Sequence, residues 1–439
     1  MTARLLRLFD TLRTSFWFLP ALMGLGAIVA ATILVRIDHG LDASARKGLW
    51  IVYSGGADGA REVLATIAGS MITVAGVVFS ITVVALSLAS QQFGPRLLRN
   101  FMEDRGNQLV LGTFTALFVY CILVLRTIEG SRNGADAVVP HLSVTVAVGL
   151  AIVAVAVLIY YIHHVALSIQ VDVIVARVAA ELHESLEHAF ADDDEKATSG
   201  GAVSPLIDER DVADIRVEKE GYVEAVAVGH LVLEAAERGA LVELRHAPGE
   251  FVSRGMILAR VTPRRAVDSG SWLLQNVAMG RMRTPAQDPE FSAGRLTEMA
   301  LRALSPSLND PFTAVSCVDR LTAAFAFAAS RPLKSGRFID DGGTVRLTIP
   351  LTNLERLAAA SFHEIRQSAK SLPSVSMHLL SRIAAILPTI ASEEARRILI
   401  RHARLIRDGL EDAALDRVDR QAVEARFDEV VAAVDGDRG

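Results

Sequence analysis

Residues 63–90 of the chain read VLATIAGSMITVAGVVFSITVVALSLAS, a run without a single Lys, Arg, Asp or Glu. A helix needs ~20 consecutive apolar residues to cross a bilayer. As a helix, this run of about 28 residues would be ~42 Å long, which exceeds the ~30 Å thickness of a hydrocarbon core. The sequence therefore predicts a membrane-spanning helix that tilts, protrudes or breaks.

Three further uncharged apolar runs lie in the same part of the chain, at residues 15–35, 109–125 and 142–162. Hydrophobic residues make up 51% of the 439 residues and are concentrated before Tyr161. A soluble enzyme spreads its apolar residues through short periodic elements instead. The pattern predicts an integral membrane protein whose residues 1–165 form an α-helical transmembrane bundle of four spans.

Small and polar residues of the second span recur at helical spacing. They are Thr66, Ser70, Thr73, Gly76, Ser80, Ser87 and Gln91. Because steps of three, four and seven residues return to the same side of a helix, these positions are predicted to form one face. That face either packs closely against another helix or lines a water-filled path between several copies. Both alternatives predict association of helices, and we expect a homo-oligomer.

A short basic segment, QQFGPRLLRNFM, follows this span at residues 91–102. Gly94 and Pro95 are expected to end the helix, because proline disfavours helical geometry in the residue before it. Arg96 and Arg99 then share one face of an amphipathic segment at the lipid headgroups. These arginines either anchor the segment to lipid or, if the polar face lines a pore, ring its cytosolic mouth and favour anions.

Basic residues flank the spans on both sides, so their count alone does not fix the orientation. A basic N-terminal tail, with Arg4, Arg7 and Arg13, tends to remain inside. With an even number of spans, both termini and the chain after residue 165 are predicted to be cytosolic. His163 and His164 close the fourth span, where interfacial snorkelling is predicted rather than a metal pair, since adjacent residues point about 100° apart on a helix.

The second half of the chain is predicted to be an α+β region. An amphipathic stalk at 166–190 and a charged, Gly-containing linker at 191–211 precede short strand signals at 212–262. The order of strands and turns in that module resembles the barrel-sandwich modules of biotinyl and lipoyl carriers. The carriers present a modified lysine on a hairpin tip, and Lys219 lies elsewhere, so no carrier function is predicted. Residues 263–439 are predicted to be mainly helical.

Charged residues crowd one part of the helical region. They are Arg281, Arg283, Asp288, Glu290, Arg295, Glu298 and Arg302. A solvated charge network is the ordinary explanation, and a ligand site is the alternative. We find no phosphate-binding loop, no G-x-S-x-G and no H-E-x-x-H. The sequence therefore predicts no catalytic residue, no cofactor and no metal site. A net charge of −5 provides no broad basic field for nucleic acid.

Three stretches are similar to a known family. They are residues 68–82 (AGSMITVAGVVFSIT), residues 90–101 (SQQFGPRLLRNF) and residues 302–314 (RALSPSLNDPFTA). They resemble a bacterial family of predicted membrane proteins catalogued as domain of unknown function 2254. The resemblance implies a multi-pass protein of the bacterial inner membrane and provides no established activity. Ser307 and Leu308 stand where Gly-Ile is expected, which is a conservative departure.

Two functions remain after these considerations. The first is an oligomeric, channel-like protein in the lipid bilayer whose second span lines or borders a path for ions. The second is a membrane-anchored binding or signalling scaffold, in which the polar face is dry packing and the cytosolic part recognises a partner. They differ in whether water reaches the face that runs from Thr66 to Gln91.

Overall fold

The structure is a computed structural model and describes residues 17–40, 53–94, 104–129, 139–189, 209–268, 270–332, 335–411 and 415–435. The chain divides into two compact units, residues 1–170 (unit 1) and residues 171–439 (unit 2). Arg96, Arg99, the basic N-terminal tail and most of the predicted linker at 191–211 lie outside the described residues.

Unit 1 contains four helices within its described residues. They are α1 (Phe18–Gly40), α2 (Ala57–Phe93), α3 (Arg105–Arg126) and α4 (His141–Ser168). Helices α2, α3 and α4 each cover one of the apolar runs and continue beyond it, and α1 covers residues 18–35 of the run at 15–35 and continues to Gly40. At 37 residues α2 is the longest of them. It ends at Gly94, whose φ of 103° is a conformation that glycine adopts without steric cost.

The core of unit 1 is centred on α3, which contacts each of the other three helices. Phe114, Tyr120 and Cys121 of α3 are at most 1% exposed. Asp104 begins the helix as an N-cap, because its side chain accepts a hydrogen bond from Gly106 N. The helix that is most enclosed by protein is therefore α3, whereas α2 keeps a large exposed surface.

Unit 2 begins with α5 (Val171–Ala189), which only Ile169 and Gln170 separate from α4 in the chain. The elements that follow α5 are a mixture of short strands and helices. They are β1 (Ala213–Arg216), β2 (Gly221–Val226), α6 (Val228–Glu237), β3 (Leu241–Leu244), β4 (Phe251–Val252), β5 (Ile257–Thr262), α7 (Ser271–Asn276), β6 (Val277–Gly280), α8 (Pro289–Ala303), α9 (Pro311–Ala329), β7 (Arg337–Ile339) and β8 (Val345–Thr348).

These strands form two small sheets with one shared core. The five-stranded sheet has the order β1-β5-β3-β8-β7 and the three-stranded sheet the order β4-β2-β6. Pairing is antiparallel except between β3 and β8. Val223 from one sheet and Val242 and Val261 from the other are fully or almost fully buried in the common core. The α+β character is as predicted, and the finer likeness to barrel-sandwich carriers stays a prediction.

The sheet region takes in more of the chain than residues 212–262. Strands β6, β7 and β8 come from the stretch that the sequence predicted as mainly helical. They are only three or four residues long, and β8 pairs with β3, which lies about one hundred residues earlier in the chain. Such short runs produce little local periodicity, so sequence alone does not reveal them.

The remainder of unit 2 is helical. It contains α10 (Leu354–Ala358), a π-helical turn at Ala359–His363, α11 (Glu364–Ser368), α12 (Pro373–Ile386), α13 (Glu393–Glu411) and α14 (Arg417–Asp435). Asp288 and Asp310 cap α8 and α9, each followed by proline at the first helical position.

Five described helices are long and apolar enough to cross a membrane, where the sequence predicted four spans. The additional helix is α9, with a mean hydropathy of 1.3 against 2.2 or more for α1 to α4. Half of the residues in its most apolar 18-residue stretch are buried inside unit 2, where the helix packs against α5, α8 and α12. Burial in a core is the alternative to lipid for an apolar helix.

Candidate functional site

The small and polar positions of α2 all lie on the exposed surface of unit 1. This holds for Thr66, Ser70, Thr73, Gly76, Ser80, Ser87 and Gln91 alike. We call this set the polar face of α2. Its members follow one another at steps of three, four and seven residues, so they form one continuous face along most of the helix.

The buried face of α2 lies on the other side of the helix. It consists of Leu64, Ala68, Met71, Ala75 and Val78, each at most 8% exposed. At 100° per residue, the centres of the two faces are roughly 180° apart. The helix therefore packs on its own subunit with apolar residues and turns the hydroxyl groups of the polar face away from it.

Several hydroxyl groups of the polar face bond to their own helix. Ser70 Oγ donates to Thr66 O at 2.7 Å, and Thr73 Oγ1 donates to Gly69 O at 2.8 Å. Such bonds to the preceding turn satisfy the hydroxyl donors without a partner helix. The chemistry of the face is thus compatible with water, protein or lipid as its neighbour.

Glycine is not required on this face by packing within the subunit. A Cβ atom placed on Gly69 or Gly76 would meet nothing within 4 Å. By contrast, a Cβ on Gly112 of α3 would lie 2.5 Å from Met23 Sδ and 3.2 Å from Pro20 Cα. Close packing thus explains the small residue in α3 and leaves those of α2 unexplained within one subunit.

Apolar residues share the exposed surface of α2. Val77 and Val84 lie along the polar face itself and are more than half exposed. Ile72, Phe79 and Val83 are 46–53% exposed and occupy a neighbouring sector of the helix. The outer surface of α2 therefore has a polar sector and an apolar sector that suits lipid.

The middle of α2 is fixed to α4 by a buried tyrosine. Tyr161 is 1% exposed. Its hydroxyl lies 2.9 Å from both Val78 O and Thr82 Oγ1. Thr82 belongs to the inner side of α2, away from the polar face. The spacing of the polar residues could have excluded Thr82 from that face, but its partner on α4 was not predictable.

A buried carboxylate joins α1 to the start of α4. Asp38 is 4% exposed and accepts hydrogen bonds from Leu142 N (2.9 Å), Ser143 N (2.9 Å) and Ser143 Oγ (2.6 Å). Pro140 occupies the N-cap position of α4 and provides no side-chain cap. Asp38 takes over this role from another helix. The uncharged run predicted as the first span ends at residue 35, whereas α1 continues through Asp38 to Gly40.

At the other end of α4, a second carboxylate binds a histidine. His164 Nε2 lies 3.0 Å from Asp104 Oδ1, and the His164 ring stacks on Tyr160 at 5.4 Å. Asp104 is the N-cap of α3. The structure thus gives His164 a carboxylate partner 60 residues earlier in the chain, and its interfacial position stays a prediction.

The charged cluster of unit 2 consists of discrete ion pairs. Asp288 pairs with Arg283 at 2.6 Å, Glu290 pairs with Arg356 at 2.8 Å, and Arg295 pairs with Glu181 of α5. Burial raises the pKa of Asp288 above its ordinary range, although the Arg283 guanidinium opposes this. The charged residues thus form ion pairs, and Asp288 and Arg295 are more buried than residues of a solvated charge network would be. Within the described part of the chain, no group of three or more His, Cys, Asp or Glu side chains is arranged to hold a metal ion.

Comparison with known proteins gives a family and no activity. The family described as Predicted membrane protein (DUF2254) matches residues 13–385. Uncharacterised proteins of Mycobacterium bovis and Mycobacterium tuberculosis are 31% identical over 401 residues, which cover 89% of this chain and 75% of theirs. No solved structure matches the chain. The apolar helices and the extent of these matches agree, and the chain belongs to the DUF2254 family of predicted membrane proteins.

Proposed function

We propose that this protein forms a homo-oligomeric, channel-like assembly in the bacterial inner membrane, with the polar faces of α2 turned toward a shared path for ions. The observation that carries the proposal is the position of the polar face, opposite the packing face and exposed along the helix. Several copies of α2 around one axis would bring their polar faces together around a water-filled path.

The composition of the face supports association between copies. Transmembrane helices associate through close packing of small residues and through hydrogen bonds, because lipid offers no hydrophobic force between them. Gly69 and Gly76 have open space beside them in one subunit. A neighbouring α2 would use that space, and the apolar sector around Phe79 would remain toward lipid.

The distribution of charge favours a passive path over a coupled carrier. Within the described residues of α1 to α4, the Asp and Glu side chains lie near helix ends, at Asp38, Asp58 and Glu62. Carriers driven by protons or sodium usually hold an ionisable group near the midplane. We assign four spans, α1 to α4, because α9 is enclosed by unit 2, and we place both termini in the cytosol.

Cysteine accessibility tests this proposal. Ser80→Cys on the polar face is expected to react with a water-borne charged thiol reagent in the native membrane. Phe79→Cys, one residue earlier and 53% exposed toward the apolar sector, is the matched control and is expected to remain unreactive. Equal protection of both positions would show that no water reaches the face, and the channel proposal would fail.

The scaffold is the second candidate, and one observation favours it. Val77 and Val84 interrupt the polar face, and the hydroxyls of Ser70 and Thr73 are satisfied within the helix. Apolar residues and hydroxyl groups that are already bonded suffice for a dry interface between copies. In that case Ser80→Cys pairs would form a disulfide across the interface and stay inaccessible to the charged reagent.

A further inference from the structure

Unit 2 contains a cavity that is independent of the polar face of α2. It has a volume of about 280 Å³, close to the ~300 Å³ at the lower end of small-molecule sites. It lies between the end of α5, the start of α6, the turn before β4, the start of α8, and the chain around β7 and after β8. All of these elements belong to unit 2.

One side of the cavity is apolar. Ala247, Pro248, Phe338, Ile349 and Leu351 contribute to it. Ala247 and Ile349 are at most 5% exposed, so they belong to the packed interior of the unit. A ligand that fills it must therefore carry an apolar body.

The charged side of the cavity is acidic. Asp288, Glu290 and His188 are its ionisable residues, and the described lining residues include no Lys or Arg. Their partners Arg283 and Arg356 hold them in place but are not part of the lining. The Asp288 side chain is 3% exposed, and that of Glu290 is 17% exposed. The two carboxylates are thus fixed and largely shielded from solvent.

Each carboxylate keeps an acceptor site. Among the described hydrogen bonds, Asp288 Oδ1 accepts one, from Phe291 N at 2.9 Å, and Glu290 Oε2 accepts one, from Arg356 Nη2 at 3.1 Å. A carboxylate oxygen has two lone pairs. The lining thus offers negative charge and free acceptors, beside Gln287, whose amide is bonded to Val226.

We propose that this cavity binds a small organic cation, an amine or guanidinium group joined to a short apolar body. The cation would lie against Asp288 and Glu290, and the apolar part against Phe338 and Leu351. An anion would meet two carboxylates without a lining Lys or Arg, and an uncharged donor would form only the weaker hydrogen bonds of a neutral group, whereas a cation forms charge-assisted ones.

The raised pKa of Asp288 agrees with this ligand class. Burial beside the cavity opposes the charge of this carboxyl group. A cation placed beside it would favour the charged form and lower its pKa.

Three probes with the same ring and different heads test the proposal on the full chain in nanodiscs, with empty nanodiscs as the reference. Phenethylamine is expected to bind at least about 10-fold more tightly than 2-phenylethanol or 3-phenylpropionate, as measured by calorimetry. Failure of phenethylamine to bind, or equal or tighter binding of either other probe, would overturn the proposal.

Variants locate the bound cation. Glu290→Gln is expected to weaken phenethylamine binding about 10-fold or more, and Val228→Trp, which fills the cavity, to abolish it. Glu355→Gln removes a comparable ion pair, with Arg401, away from the cavity and is the matched control. Binding is compared only for variants whose unfolding midpoint equals that of the parent protein. Phenethylamine binding that survives both cavity changes, or that falls equally in the control, would place the ligand elsewhere and overturn the assignment.

Discussion

At the scale of single residues, two carboxylates near helix ends hold the bundle of unit 1 together. One caps the start of another helix, and the other pairs with a histidine of another helix. Asp38 accepts three hydrogen bonds at the start of α4, and Asp104 both caps α3 and binds His164 of α4. Helix N-termini have unpaired N–H groups and a positive dipole end, so a carboxylate stabilises them. In a bilayer this matters more, because water does not reach every end to satisfy them.

Asp38→Ala is expected to destabilise the bundle by about 2 kcal/mol, because Leu142 N and Ser143 N lose their acceptor in a buried position. The measurement is the unfolding midpoint in detergent. The control is His39→Ala, since His39 is the next residue and is exposed. If both variants unfold at the same point as the parent protein, Asp38 does not cap α4 in the way described.

His402 of α13 is expected to make unit 2 sensitive to acid. Burial, reinforced by Arg401 and Arg366, lowers its pKa from 6.5 to about 4. The folded state therefore holds the neutral ring, while the unfolded chain takes up a proton below pH 6.5. The stability this provides is complete above pH 6.5 and is lost as the pH falls toward 4, by ~3 kcal/mol in all.

Urea unfolding between pH 4 and pH 7 measures this effect, with Trp272 as a buried fluorescent reporter in the same unit. His402→Leu is expected to unfold with a shallower dependence on pH than the parent protein over this range. His230→Gln, which changes an exposed histidine of α6, is the control and is expected to retain the parent's slope. An unchanged slope in His402→Leu would contradict the assignment.

The residue-scale contacts could not have been predicted from the sequence. Asp38 and Ser143 are 105 residues apart, and Asp104 and His164 are 60 apart. No local pattern marks either pair. Even the extension of α1 through Asp38 ran against the pattern, since Arg36 and Asp38 break the apolar run that defined the span.

At the scale of elements, periodicity was more informative. Runs of about 20 apolar residues are a strong signal because few other structures tolerate them, and each of the four coincides with a helix. The polar face of α2 could also be predicted, since helical geometry alone brings its members together. Its direction could not, because that depends on which side of α2 packs on α3.

The glycines of α2 provide a prediction for this element. Gly76→Leu should leave the subunit folded and even raise its helix propensity, by ~1 kcal/mol, because nothing lies within 4 Å of the added Cβ. It is expected to reduce the oligomeric mass measured by light scattering in detergent, since the side chain would occupy the space used by a neighbouring α2.

Gly112→Leu of α3 is the matched control for Gly76→Leu. There the new side chain meets Met23 and Pro20 of its own subunit, so the unfolding midpoint is expected to fall. Overpacking of this kind typically costs 1–3 kcal/mol. If Gly76→Leu assembles like the parent protein, the polar face of α2 is not an interface between copies.

At the scale of the whole molecule, the chain joins a membrane bundle to a larger α+β unit. Composition alone separates the two, because the four long uncharged apolar runs all lie before residue 165. The arrangement of unit 2 was harder to predict, since β3 and β8 pair across about one hundred residues. The acidic cavity was hidden for the same reason: Asp288, Phe338 and Leu351 meet only in the folded unit.

The central claim is that the polar face of α2 borders a water-filled path, and conductance of the purified protein in planar bilayers tests it most directly. We predict a conductance that a charged thiol reagent blocks in Ser80→Cys and leaves unchanged in Phe79→Cys. A protein that is folded and oligomeric in the bilayer but gives no conductance in the parent form and in both variants would contradict the claim.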